Sequence, residues 1–262
     1  MNHLHLNFFV PSFFARAARR VSQALGAFIL SLLALDLSLA QAQPTPGRPS
    51  IFQGLSANDQ SLLRQGRQLT PEPVRIPGSA WPRIRVLQRS ENSVSEVAAV
   101  FADFDRHIDY NPGLSRSRLV QTQGAQLTVD YTMNFPTIMG FNFGSENYTV
   151  LNRVSAYSFA SIPSNAIRVD WNLVRADRIR HFDGFVIIEP IPDSAGGGTL
   201  VDCTNWIDPP LPAITRHLVS MAVEKTQVLV SSLITRTQAL KTSQPGLLSQ
   251  EIEALQNLLP RP

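Results

Sequence analysis

The sequence predicts an α+β domain in which an antiparallel sheet packs against one long C-terminal helix. Three observations predict this fold class. Short alternating segments separated by turn residues follow one another between residues 114 and 208. A segment with an S-x-x-E capping box precedes them. The stretch 213–241, which follows them, contains neither proline nor glycine and can therefore form one helix.

The N-terminal 42 residues are typical of a secretory signal peptide. Three arginines precede a mostly apolar stretch over 21–39, and residues 40–42 match an A-x-A cleavage site. We therefore expect residues 1–42 to be cleaved and the mature protein to be periplasmic or secreted. The alternative is an uncleaved membrane anchor.

The charge balance argues against a nucleic-acid partner. The whole chain carries 23 basic and 20 acidic residues, a net charge of +3. Arg16, Arg19, Arg20 and Asp36 belong to the predicted signal peptide, so its removal leaves an excess of one positive charge. A protein that binds a polyanion needs a larger basic surplus on one face.

Residues 43–80 are expected to form a proline-rich tether with a short helix. The segment Ser56-Ala57-Asn58-Asp59 is a variant of the capping box and begins a helix that continues to Gln65. Pro71, Pro73 and Pro77 then interrupt the chain.

The main domain is predicted over residues 81–242. Residues 83–90 alternate as a strand, Ser93-Val94-Ser95-Glu96 begins a helix, and residues 104–110 form a short helical turn. The following strands are expected to form one antiparallel meander. They cover residues 116–122, 126–135, 143–154, 157–162, 167–173, 178–190 and 199–208.

The long helix is predicted over residues 212–241. Its apolar residues cover more than half of its circumference, which is wider than the stripe of a surface helix. We therefore expect this helix to lie deep against the sheet. In the C-terminal segment 243–262, residues 249–259 are expected to form a short amphipathic helix.

The order of these elements resembles the START-like superfamily, also called SRPBCC, which includes polyketide cyclase/dehydrase-type proteins. The segments that carry the resemblance are 103–112, Trp171-Asn172-Leu173-Val174, Gly184, Glu189-Pro190, 198–200 and 209–212. The resemblance implies the helix-grip fold, a curved antiparallel sheet wrapped around the long helix with an apolar cavity between them. It also implies a lipid, sterol, polyketide or other hydrophobic ligand; some members are enzymes, and the fold does not decide between these uses.

The candidate ligand-binding residues are the apolar face of each strand, the inner face of the long helix and a few polar groups between them, as in most ligand pockets. They are Tyr131, Met133, Phe135, Trp171, Leu173, His181, Asp183, Phe185, Trp206, Leu218, Met221, Ala222, Lys225 and Leu229. For the apolar residues among them, core packing is the simpler interpretation.

Two polar features have alternative interpretations. The stem of Lys225 either passes its apolar neighbours so that the ammonium reaches water, or the ammonium faces the cavity and binds a carboxylate or phosphate headgroup. His181 and Asp183 share one face of a strand. Either they are structural residues or, with Tyr131, they are acid and base groups of a cyclase/dehydrase-type enzyme.

No sequence motif points to nucleophilic catalysis, a metal or a cofactor. A G-x-S-x-G elbow is absent from the sequence, and Gly196-Gly197-Gly198 is typical of a hairpin turn. Cys203, the single cysteine, is expected to be an inert core thiol. His107-Ile108-Asp109 is too common a pattern to indicate a metal site. We therefore predict no catalytic residue, no metal and no cofactor.

The expected function is that of an exported binding or transport protein that holds a lipid or other hydrophobic small molecule and contacts membranes transiently. Two alternatives remain. One is a cyclase/dehydrase-type enzyme on the same fold. The other is a non-catalytic envelope protein that uses segments 43–80 and 243–262 as docking arms.

Overall fold

The computed structural model describes residues 50–135, 137–138, 141–142, 144–159, 162–209 and 216–259. The predicted signal peptide and the first residues of the predicted tether, 43–49, lie outside these residues. The signal peptide and its cleavage therefore stay predictions.

Seven strands form one antiparallel sheet in the order β1-β9-β8-β7-β6-β3-β2, and β4 and β5 pair with each other. The strands are β1 Ile84–Ser90, β2 Leu114–Gln123, β3 Gln126–Asn134, β4 Thr137–Ile138, β5 Phe141–Asn142, β6 Ser145–Phe159, β7 Ile162–Ala176, β8 His181–Pro190 and β9 Thr199–Asp208. The prediction of separate strands over 143–154 and 157–162 is wrong, because β6 runs without a break from Ser145 to Phe159 and residue 162 already belongs to β7.

The first strand lies beside the last one, which a simple meander does not predict. β1 pairs with β9 from Ile84↔Asn205 to Ser90↔Thr199, whereas β2 forms the opposite edge of the sheet. The chain passes between these edges through helix α3 (Val94–Ala102) and a 3-10 helix (Phe104–Asp109). These two helices therefore lie between the two edge strands along the chain and pack on the sheet's inner face.

Helix α3 begins with the predicted capping box. The Ser93 hydroxyl accepts a hydrogen bond from the Glu96 backbone N–H, and the Glu96 carboxylate accepts one from the Ser93 backbone N–H. Both bonds satisfy backbone donors that a helix start leaves unpaired. Val97, Ala98 and Phe101 are then buried in the main core.

The long helix α4 (Arg216–Ser243) buries one stripe of its surface instead of lying deep in the fold. Leu218 is buried near its start, and from Thr226 onward the buried positions recur every three or four residues, at Thr226, Val230, Leu233, Thr237 and Leu240. Met221, Ala222 and Leu229 are half-exposed and line a cavity beside the helix. The segment 218–243 is also long and apolar enough to span a membrane, but core helices meet the same criterion, so no location follows.

The C-terminal helix α5 (Pro245–Leu258) begins four residues before the predicted start. Its proline stands in the first turn, where the missing N–H costs nothing. Leu248 and Leu255 are buried in the main core. The segment is therefore part of the folded domain.

The N-terminal arm, residues 50–74, also packs on the domain. It contains α1 (Ile51–Gly54) and α2 (Ala57–Arg64), and Leu69 pairs with Leu87 beside the edge strand β1. A small second core holds the arm against the outer face of the sheet. Its buried members are Phe52, Leu63, Leu87, Ile191 and Leu200.

Candidate functional site

A cavity of about 440 Å³ lies between the inner face of the sheet and the N-terminal half of α4. This volume falls within the range of small-molecule sites. Its walls come from β1, β3 and β6 to β9, from the segment 107–114 and from α4. Most of the lining atoms are apolar, so the cavity suits a ligand with an apolar body.

Nine of the fourteen predicted residues line this cavity. They are Tyr131, Met133, Phe135, Trp171, Leu218, Met221, Ala222, Lys225 and Leu229. Tyr131 and Trp171 are buried, whereas Lys225 is exposed at the cavity rim. Ligand contact by these residues remains a prediction.

The structure places His181, Asp183 and Phe185 away from the cavity. The alternate residues of β8 face inward: Phe182 lines the cavity, and Val186 and Ile188 are in the main core. The three predicted residues therefore lie on the outer face, because successive side chains of a strand point to opposite sides. Apolar residues occur on both faces of β8, so the sequence pattern left its phase ambiguous.

Trp206 and Leu173 are also outside the cavity lining. The Trp206 ring stacks on His181 at 4.8 Å between ring centres, and its Nε1 donates to the backbone oxygen of Trp81 at 3.1 Å. Asn205 and Ile207, its neighbours in β9, line the cavity in its place. Leu173 packs against the main core, just beyond a register shift between β6 and β7.

The sequence prediction missed the wall that precedes β2. Phe101, His107 and Tyr110 line the cavity from this side, and Tyr148 and Asn152 line it from β6. The alternation in β6 could have identified the last two. The first three lie on or beside the short helical segments before β2, whereas the predicted lining came from the strands and the long helix.

His107 is a neutral hydrogen-bonding group in the cavity wall. Its Nε2 lies 2.7 Å from the backbone oxygen of Phe101, so Nε2 carries the proton. Nδ1 is then the acceptor, and the Tyr131 hydroxyl donates to it at 3.2 Å. Burial lowers the pKa of His107 to about 4 and raises the pKa of Tyr131 well above its usual value.

A polar row crosses the floor of the cavity. Asn152 pairs with Trp171, Trp171 with Gly184, and Gly184 with Asn205, so that these residues follow one another across β6, β7, β8 and β9. A Cβ atom at Gly184 would lie 2.6 Å from Trp171 Cζ2. The absence of a side chain at Gly184 therefore makes room for the indole ring of Trp171.

The interior of the cavity carries little charge. Among the described lining residues there is no aspartate or glutamate, and Lys225 supplies a cation at the rim. The thiol of Cys203 is buried in the core and its pKa is raised to about 12 by desolvation, in agreement with an inert thiol. In the described residues, no group of three or more metal-ligating side chains is present.

Comparison of the sequence with protein-family models and with curated proteins finds no match. Solved structures do match. Human StAR-related lipid transfer protein 5 is 11% identical with a TM-score of 0.53, over 85% of this chain and 99% of that protein. A fragment of the STAR-related lipid transfer protein from Xanthomonas axonopodis is 16% identical with a TM-score of 0.51, over 63% of this chain and 90% of the fragment.

These likenesses establish the fold. The curved seven-stranded antiparallel sheet and the long C-terminal helix form the START-like, or SRPBCC, helix-grip fold, as the sequence predicts. The cavity lies between the sheet and the long helix of this fold. At identities this low, the particular ligand and its handling do not follow from the comparison.

Proposed function

We propose that this protein binds a lipid or other hydrophobic small molecule in the cavity under α4 and transports it through an aqueous compartment outside the cytoplasm. The single observation that carries the proposal is the apolar cavity of about 440 Å³. Burial of apolar ligand surface contributes roughly 25 cal/mol per Å². The two matched proteins are lipid transfer proteins by name, which supports the same use of the fold.

The polar pair in the cavity favours binding over the cyclase/dehydrase-type alternative. A general acid or base works best when its pKa lies near the working pH. His107 is far below neutrality, with a pKa of about 4, and burial moves the pKa of Tyr131 in the opposite direction. His181 and Asp183, the other candidate acid and base groups, lie outside the cavity lining. The pair is therefore better suited to a fixed hydrogen-bonding wall.

A cavity-filling substitution tests the binding proposal. Leu229→Trp places a large ring in the cavity, whereas Val228→Trp places the same ring on a neighbouring position of α4 that is 38% exposed. The purified protein is extracted with organic solvent for mass spectrometry and titrated with fluorescent fatty acids and sterols.

We expect the wild type and Val228→Trp to bind a hydrophobic molecule and Leu229→Trp to lose at least tenfold in affinity. The proposal fails if the wild type carries nothing and rejects every probe. It also fails if the two tryptophan variants bind equally well.

Export and membrane contact belong to the same proposal. The basic, apolar and A-x-A regions of residues 1–42 support export by a cleaved signal peptide. N-terminal sequencing of the protein from cell fractions is expected to begin at Gln43 in a fraction outside the cytoplasm. A cytoplasmic protein that begins at Met1 would contradict export. Transfer of a bound probe to lipid vesicles measures membrane contact.

A further inference from the structure

Three cavity-lining residues carry buried polar atoms without a hydrogen-bond partner among the described residues. These atoms are Trp171 Nε1, Asn205 Oδ1 and the Tyr110 hydroxyl oxygen. Trp171 and Tyr110 are 7% and 5% exposed. Buried polar groups in folded proteins are nearly always paired, because an unpaired group loses its bonds to water and receives nothing in return. Three unpaired groups around one cavity therefore point to a ligand that pairs with them.

Trp171 and Asn205 belong to the same row of the cavity floor. Both pair in register with Gly184, which lies between them in β8. Their backbones are two strand spacings apart, about 9.6 Å. The indole covers the glycine, since a Cβ atom there would collide with its ring. The ring therefore fills space between its own strand and the strand of Asn205.

The two unpaired atoms of this row have opposite hydrogen-bonding character. An indole N–H only donates, and an amide oxygen only accepts. A hydroxyl group satisfies both, because its oxygen accepts from Trp171 and its proton is donated to Asn205. A carboxylate cannot donate to Asn205. It would also be placed in a lining whose histidine is neutral and whose one lysine is at the exposed rim.

We infer that the cavity selects an uncharged ligand with a hydroxyl group on an apolar skeleton, and that Trp171 and Asn205 bind this hydroxyl. The inference rests on the proposed function and sharpens it, because it excludes free fatty acids and other apolar carboxylates as the preferred ligands. Lys225 then contributes at the rim and does not neutralise a buried acid.

Matched fluorescent probes test the selection. Anthracene, 2-hydroxyanthracene and anthracene-2-carboxylate share one skeleton, and pyrene, 1-hydroxypyrene and pyrene-1-carboxylate form a second series. At neutral pH the hydroxyl probes are uncharged and the carboxylates are anions. We expect the hydroxyl member to bind at least tenfold more tightly than the carboxylate in the series that fits the cavity, which corresponds to about 1.4 kcal/mol.

Two variants test whether Trp171 and Asn205 cause the preference for the hydroxyl probe. Asn205→Leu and Trp171→Phe are expected to lower the ratio of hydroxyl to hydrocarbon affinity at least fivefold. Because the ratio is taken against the hydrocarbon of the same series, a general change in the fit of the cavity cancels from it. Asn172→Leu is the matched control, since Asn172 is an exposed amide of β7 outside the cavity lining, and its ratio is expected to stay at the wild-type value.

The outcomes separate this inference from the proposed function. If hydrocarbons and carboxylates bind as tightly as the hydroxyl probes, the cavity binds hydrophobic molecules and the inference alone is wrong. An unchanged ratio in both row variants also overturns it. If no probe of either series binds the wild type and solvent extraction yields no bound molecule, the proposed function fails as well.

Discussion

The N-terminal arm and the C-terminal helix are each held on the domain beside a buried glutamate, but the two glutamates have different partners. Glu189 in β8 accepts hydrogen bonds from the Ser50 hydroxyl at 2.8 Å and from the backbone N–H groups of Ile51 at 3.1 Å and Phe52 at 2.7 Å. Glu251 in α5 instead faces a second carboxyl group, that of Asp103. Glu189 therefore accepts three hydrogen bonds, whereas Glu251 lies beside another carboxyl group.

The consequences for protonation differ. Burial raises the pKa of Glu189, and its three hydrogen bonds act against this rise. Burial raises the pKa of Glu251 to about 7, and the neighbouring Asp103 adds to the rise. Two carboxyl groups form a hydrogen bond only when one of them holds a proton. The contact of the C-terminal helix is therefore sensitive to pH near neutrality.

The two segments also differ in their distance from the cavity. Phe52 and Leu63 of the arm belong to a small core on the outer face of the sheet. Leu248 and Leu255 of α5 belong to the main core, together with the cavity residues Phe101 and Tyr110. We therefore expect changes in the arm to alter stability alone and changes near the inner face to alter ligand binding as well.

The largest effect is expected from Phe52→Ala in the N-terminal arm. The ring is 1% exposed, and its loss should lower the free energy of unfolding by about 3–5 kcal/mol. Denaturant titration measures this change, and Asn58→Ala, an exposed position of the same arm, is the control with a change below about 0.5 kcal/mol. The affinity of the folded variant for hydrophobic probes should not change. A parallel loss of affinity would show that the arm is coupled to the cavity.

Gly184→Ala perturbs the inner face. The added Cβ atom would collide with the backbone oxygen of Thr204 and would lie 2.6 Å from Trp171 Cζ2. We expect a destabilisation of about 1–3 kcal/mol and, because the indole must move, a roughly tenfold loss of probe affinity. Gly246→Ala is the matched control, since its Cβ atom meets nothing within 4 Å. A wild-type probe affinity in Gly184→Ala would contradict the claim that this glycine positions the Trp171 indole in the cavity.

Glu251→Gln tests the pH sensitivity of the C-terminal contact. The folded-state pKa of about 7 exceeds the ordinary value of 4.5, so the folded protein holds the extra proton and its stability falls as the pH rises from about 4.5 to 7. The glutamine stays neutral and still donates to Asp103. We expect the variant to match the wild type near pH 5 and to be more stable by about 1–2 kcal/mol near pH 8.

Thermal unfolding at several pH values measures this difference. The groups around Glu251 are Asp103, Arg106, Arg236 and Tyr110, and they are unchanged in the variant. Burial lowers the pKa of His107 to about 4, which reduces stability as the pH falls below 6.5, but both proteins share this effect. The exposed Glu253→Gln is the control. An offset that is the same at all pH values would contradict the prediction.

The smallest effect is expected from the cap of α3, the helix that ends beside Asp103. Ser93→Ala removes the hydroxyl that accepts from the Glu96 N–H and should cost about 1 kcal/mol. Ser95→Ala, inside the first turn, should change stability by less than half of that. Equal losses of stability in the two variants would show that the capping hydrogen bond of Ser93 does not stabilise the helix. Chemical denaturation of both variants makes the comparison.

Much of the fold was predictable because its signals are local. The capping box at Ser93 and Glu96, the alternation in β3 and the uninterrupted helix after residue 212 each act within a few residues or turns. The same signals identified most of the helix residues beside the cavity. The predicted strand break before Tyr157 is wrong, because β6 stays paired with β7 through Ser155 and Ala156.

Local signals did not determine which face of each strand points toward the cavity. In β8, Phe182 and Phe185 are both apolar and lie on opposite faces, and only Phe182 lines the cavity. The guanidinium of Arg168 lies 4.1 Å from the centre of the Phe185 ring and covers it on the outer face. This partner comes from the neighbouring strand, so the sequence of β8 by itself contains no sign of it.

The sequence by itself determined the α+β class and the order of its elements, because hydrophobic periodicity and capping depend on neighbours along the chain. The apolar cavity under the long helix was an implication of the resemblance to the START-like superfamily. Only the tertiary structure decided which face of β8 and β9 is the inner one, that β1 lies beside β9, and that both end segments pack on the domain. The physical reason is that alternation assigns the residues of a strand to two faces but does not indicate which face is buried against the helix. Contacts between residues far apart in sequence, such as Glu189 with Phe52 and Glu251 with Asp103, then determine which surfaces are buried.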